Sequence, residues 1–94
     1  MEIFTKQIAE EYAITVNFSN VLDDGETIST KTVTAILHNK VVTSAVVDSS
    51  FISGETVIIK IKDGTENYYK ITTKITTSNN NVYEKDILMK VRDT

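Results

Sequence analysis

The stretch from Gly64 to Arg92 constrains this chain more than any other, because it reads as one long β-hairpin. Tyr69, Ile71, Thr73 and Ile75 are apolar or β-branched, and Lys70, Thr72, Lys74 and Thr76 between them are polar or charged. A period of two over such a run is the pattern of a half-buried antiparallel strand. Asn79, Asn80 and Asn81 follow, and asparagine tolerates the left-handed backbone of tight turns. The chain then returns with Tyr83, Ile87, Met89 and Val91 on one parity and Lys85 in the same row. Glu84, Asp86, Lys90 and Arg92 take the other face, which Leu88 interrupts. The single apolar face of this hairpin requires a second sheet to cover it.

The rest of the chain supplies candidates for that sheet. Tyr12, Ile14, Val16 and Phe18 alternate with Ala13, Thr15 and Asn17, and Asp23, Asp24 and Gly25 then form a turn. A second strand runs from Thr27 to Leu37. Val33, Ala35 and Leu37 fit one of its faces and Ile28 and Ile36 the other, which a bulge reconciles. His38, Asn39 and Lys40 form the next turn, and Val41 to Val47 reads as a third strand. Phe51 and Ile52 make a short piece bracketed by Asp48 to Ser50 and by Ser53 and Gly54. Thr56 to Lys62 is a further strand with Val57, Ile59 and Ile61 inward, and Asp63-Gly64 is a hairpin-type turn signal. Six to seven strands with regular turn signals predict an all-β fold, an antiparallel immunoglobulin- or fibronectin-III-like β-sandwich. Such sandwiches place a tyrosine at the start of the penultimate strand, where its hydroxyl pins a loop. Tyr69 fits that role, with Tyr68 as the other option.

The predicted organisation is an N-terminal arm over residues 1–11 and a single domain over 12–94. Ile3 to Glu11 is compatible with one helical turn or with an extended arm, and is too short to hold a helix unaided. It is expected to be a loosely ordered arm touching the body, or else a docking arm for a partner.

Apolar residues make up 40% and charged residues 24% of the chain, which suits one globular domain of 94 residues. With a formal charge of -3 and scattered basic residues, no nucleic-acid footprint is visible. No apolar run reaches membrane-spanning length, and the N-terminus lacks the layout of a signal peptide. Synthesis and first folding in a cytoplasm are expected. The absence of cysteine removes disulfides and thiolate metal sites from consideration. No catalytic, cofactor-binding or metal-binding residues are assigned. His38 is the only histidine and has no nucleophile motif beside it, so it reads as a surface turn residue. Asp23, Asp24 and Glu26 could ligate calcium by composition but lack the spacing of a calcium loop, so turn and solvent roles are expected. Asn17, Phe18 and Ser19 match a glycosylation acceptor by chance. Two segments are candidate contact surfaces. Val41, Val42, Ala45, Val46 and Val47 lie in an uncharged run that is either an edge strand open to pairing or an internal one. Asn79, Asn80 and Asn81 form either a contact loop at one end of the sandwich or a loose tip.

The order of residues resembles the tailed-phage fibre–tail adaptor family. The resemblance is carried by Tyr12 to Ser19 (YAITVNFS), by Leu22 to Thr30 (LDDGETIST), and by Tyr69 to Ser78 (YKITTKITTS) with the closing Val91-Arg92. Phe18 stands where that family usually has tryptophan, Thr73 where asparagine is common, and the arm lacks the usual proline. The resemblance implies a small immunoglobulin-like virion protein, without catalytic residues or cofactors, in the tail or head–tail region. It implies contacts with other virion proteins, and further copies of the chain are a second option for a partner. The competing reading is a stand-alone carbohydrate-binding-like sandwich, for which Tyr68 and Tyr83 side by side would be the platform.

Overall fold

The alternation of β-branched and polar residues is realised as eight strands and one helical turn in a computed structural model that describes residues 2–93. The strands are β1 (Glu2–Gln7), β2 (Tyr12–Asn17), β3 (Ile28–Leu37), β4 (Lys40–Val41), β5 (Val47–Ser53), β6 (Thr56–Ile61), β7 (Tyr68–Thr77) and β8 (Val82–Arg92), with α1 (Thr43–Val46) between β4 and β5. They form a five-stranded sheet in the order β1-β8-β7-β3-β4 and a three-stranded sheet in the order β2-β6-β5. Every pairing is antiparallel except β1 with β8, which is parallel from Glu2 opposite Ile87 to Gln7 opposite Arg92.

The hairpin follows its sequence parity. Tyr69, Ile71, Thr73, Ile75 and Thr77 of β7 are buried, as are Ile87, Met89 and Val91 of β8. Val16 and Phe18 from the β2 side and Val57, Ile59 and Ile61 of β6 join the same core from the other sheet. The bulge that β3 requires lies between Ile28 and Thr30, where the register against β7 shifts. His38 and Asn39 have φ of 49 and 64 degrees and connect β3 to β4. Positive φ at both central residues matches the twist of the flanking strands.

Four expectations differ from the fold. Glu2–Gln7 is not a loose arm but an edge strand on β8, with Phe4 packed against the core and edge-on to Tyr12 at 6.3 Å between ring centroids. Met1 of the expected arm and Thr94 of the expected domain lie outside the described residues. Val41 to Val47 is not one strand. The Val42 N–H bonds to Ala35 O at 2.8 Å, and the Thr43 hydroxyl then accepts the Ala35 N–H at 3.1 Å. With the edge of β3 satisfied by a side chain, the backbone is released to turn through α1 and cross to the other sheet. Phe51-Ile52 is no isolated piece but the middle of β5, paired with β6. Asp63-Gly64 does not close a hairpin, because β6 and β7 belong to different sheets.

Gly64 begins that crossing with φ of 95 degrees, and a Cβ there would lie 3.2 Å from both Val46 Cγ1 and Val91 Cγ2. Beyond it, Tyr69 is the pinning tyrosine: its hydroxyl accepts the Thr65 N–H at 2.9 Å, while Tyr68 is exposed. Lys6 secures the other side of the same loop. Its side chain is fully buried, and Nζ donates to Gln7 O at 2.8 Å, Ile8 O at 2.9 Å and Asp63 O at 2.6 Å. An ammonium has three donors, so each meets a carbonyl. Burial lowers the Lys6 pKa from its ordinary 10.5, opposed by the charge of Asp63 and then of Glu10 and Glu11.

Two substitutions should therefore act in opposite directions. Lys6→Met keeps the stem and strips three carbonyls of a donor, and should cost at least the ~1–3 kcal/mol of one orphaned buried group. Thr73→Val replaces a buried hydroxyl that has no hydrogen-bond partner among the described residues, and should stabilise by about 1 kcal/mol. Urea titration of both variants checks the two signs.

Candidate interaction site

The end of the molecule that carries Asn79, Asn80 and Asn81 is held by Glu26. This glutamate, expected in a solvated turn, is 4% exposed. Its Oε1 accepts the Asp23 N–H at 2.9 Å, and Oε2 accepts the Thr77 hydroxyl and the Asn81 Nδ2 at 3.0 Å. The Thr77 hydroxyl in turn accepts the N–H groups of Asn79 at 3.3 Å and Asn81 at 3.2 Å. Across the gap, Thr27 and Ser78 exchange two bonds, N–H to Oγ at 3.0 Å and N–H to O at 2.8 Å. The asparagine loop is thus a braced tip. Asn80, with φ of 61 degrees, stands at its exposed apex. A carboxylate filled by these donors is a structural pin and is not available as a calcium ligand. Among the described residues no group of three or more His, Asp or Glu is placed to hold a metal ion. His38 is exposed on the β3–β4 turn.

The valine run is divided. Val41 is 71% exposed on the two-residue edge strand β4, whereas Val46 is fully buried. Val42 and Val47 are half-buried against the core and Ala45 is exposed on α1. Of the five residues, Val41 on β4 and Val47 on β5 lie on outer strands of the two sheets, and of these Val41 is the exposed one. The two tyrosines of the competing reading are also apart. Tyr68 is opposite Lys90 and Tyr83 opposite Ile75, a separation of about 23 Å at ~3.3 Å per residue. They form no shared platform.

A groove of about 490 Å³ opens between β2 and β8. The buried Val16 and Ile87 form its floor, and Glu2, Thr15 and Asp86 also line it. One end is closed by Lys85, whose Nζ donates to Asn17 O at 2.5 Å and Asn20 Oδ1 at 3.3 Å and lies 5.4 Å from the Phe18 ring centroid. The groove was not legible in the sequence, because it depends on how far β1 covers β8. Lys85 in the apolar row of β8 was its one visible sign.

The bonds from Thr77, Asp23 and Asn81 hold the Glu26 carboxyl below its ordinary pKa of 4.5, with the Thr77 hydroxyl contributing most. A carboxyl depressed in the folded state stabilises it above the unfolded pKa, and that stability is lost as pH falls through the folded value. Melting temperature should fall on acidification below about pH 4.5, and Glu26→Gln should flatten this part of the profile. A Glu26→Gln profile parallel to the parent's would show that the pin does not titrate with folding.

No curated protein matches this chain. The model of a family described as podophage GP4 fiber-tail adaptor protein gp77 matches residues 6–90. That match covers most of the chain, which therefore belongs to the podophage fibre–tail adaptor family.

Proposed function

We propose that this chain is a non-enzymatic structural protein of a phage or prophage virion, a tail or head–tail adaptor acting through contacts with other virion proteins. The observation that carries this reading is the family match over residues 6–90. The interior supports it. Lys6, Glu26 and Thr77, the buried polar groups with partners, are engaged in bonds that hold loops. The protein is made in the host bacterial cytoplasm and ends in the particle.

The fold in this reading is an immunoglobulin-like β-sandwich. Support comes from the order β1-β8-β7-β3-β4 facing β2-β6-β5, and from the Tyr69 hydroxyl bonded four residues upstream. Its contacts lie at sheet edges and at the braced tip, with Val41 and Asn79 to Asn81 as exposed elements of each. The separation of Tyr68 and Tyr83 weighs against the carbohydrate-binding alternative.

Deleting the gene from its phage should yield tailed particles that lack fibres and do not infect, with both defects restored by the gene in trans. Protein composition and electron microscopy of purified particles read the outcome. Deletion particles with a full complement of fibres would overturn the adaptor role.

A further inference from the structure

The groove between β2 and β8 is bordered by two sheet edges whose hydrogen-bonding groups can be assigned residue by residue. On β2, the Phe18 N–H donates to Glu55 O at 2.9 Å. In an antiparallel ladder, bonded and non-bonded pairs alternate. With Val16 opposite Val57 and Ile14 opposite Ile59, the even residues of β2 therefore bond to β6. Ala13, Thr15 and Asn17 direct their N–H and C=O groups away from the sheet. The bond from Lys85 Nζ to Asn17 O agrees with this assignment.

The same reasoning applies to β8. Thr77 N–H donates to Asn81 O and Val91 N–H to Asn67 O, both at 2.9 Å. Odd residues of β8 thus bond to β7, and even residues face the side where β1 lies. Ile8 N–H donating to Arg92 O at 3.1 Å agrees. Among the described residues β1 begins at Glu2, opposite Ile87. The N–H groups of Glu84 and Asp86 therefore point where no described strand lies.

We propose that this groove receives an extended segment of a partner tail or fibre protein, which adds to the free edge of β2 as a fourth strand of the three-stranded sheet. The proposal rests on the adaptor reading and specifies the surface through which it works. The groups at Ala13 and Thr15 set the backbone pairing, as in other strand additions. Alternate side chains of the incoming segment face the floor made by Val16 and Ile87 and are apolar. Glu2, which lines the groove, gives the segment a place for a lysine or arginine, and Asp86 adds negative charge there while one of its oxygens holds the Thr72 hydroxyl at 2.7 Å. A second copy of this chain is a poorer occupant, because it brings a further net charge of -3 towards the same carboxylates. The open stretch is short, and Lys85 stops it beyond Asn17, so the occupant is a terminal or linker segment and not a whole sheet.

The test uses the full chain and an array of overlapping 15-residue peptides covering the tail and fibre proteins of the same phage. At least one peptide with alternating apolar residues and a basic residue should bind. Hydrogen exchange should show the Ala13 and Thr15 amides fast in the free chain and slowed at least tenfold with that peptide bound. Thr15→Pro removes one outward N–H without touching the β6 ladder, a substitution edge strands accept. It should abolish binding, whereas Thr15→Val should not, and Glu2→Lys should weaken binding at low salt. Unchanged Ala13 and Thr15 exchange in the presence of a bound peptide overturns the proposal even if Thr15→Pro fails to fold. So does a self-associated chain that Thr15→Pro converts to monomer, which assigns the edge to a second copy. If intact tail and fibre proteins bind the chain but no peptide does, the groove is wrong and the adaptor reading stands. If neither binds, both fall.

Discussion

The connection between Ile61 and Tyr68 is the constraint on which the rest of the structure depends. It carries the chain from the three-stranded sheet to the five-stranded one, and each element near it is fitted to its path. Lys62 N–H bonds to Val46 O at 2.8 Å, Thr65 N–H to the Tyr69 hydroxyl, and Val91 N–H to Asn67 O. The Lys6 ammonium reaches Asp63 O from β1. Gly64 lies where a Cβ would press on Val46 of α1 and Val91 of β8. The chain also crosses between the sheets before β2, between β2 and β3 and through α1, and this loop is the crossing that contacts α1, β1, β7 and β8 together.

That arrangement has a consequence for function. The molecule is 44 Å long and 24 by 21 Å across, and its loops are braced at both ends, by Glu26 at the asparagine tip and by Lys6 and Tyr69 at the crossing. In the proposed adaptor role, such a body would hold distant surfaces at fixed spacing. The buried polar groups with partners serve loops, and the free hydrogen-bonding capacity lies on the strand edges, where partner strands can use it.

What could be read beforehand divides along physical lines. The β7–β8 hairpin was legible because period-two alternation over ten or more residues admits few other structures, and the β3 bulge because Ile28 and Ala35 could not otherwise share a face. Tyr69 was legible from position alone. The run Val41 to Val47 was misread because a short apolar stretch without polar interruption has no periodicity to separate strand from helical turn. The Thr43 hydroxyl that ends β4 is one of many threonines. Glu26 and Lys6 were missed for a shared reason. A charged residue is ordinarily solvated, and only the tertiary structure brings Thr77 and Asn81 to one or three carbonyls to the other. The parallel pairing of β1 is invisible locally, because its partner lies at the far end of the chain. Membership of the adaptor family rests on the match over residues 6–90, and residue patterns by themselves pointed only to the fold.

Native-state hydrogen exchange of the free protein tests most directly whether the crossing holds the two sheets together. The amides of Lys62, Thr65 and Val91 should exchange only through global unfolding, with the same free energy of opening and the same denaturant dependence as the core amides of Ile71 and Met89. If Lys62 and Thr65 exchange by a local opening well below the global stability while Ile71 and Met89 remain protected, the loop is an ornament on an independently stable core and the account is wrong.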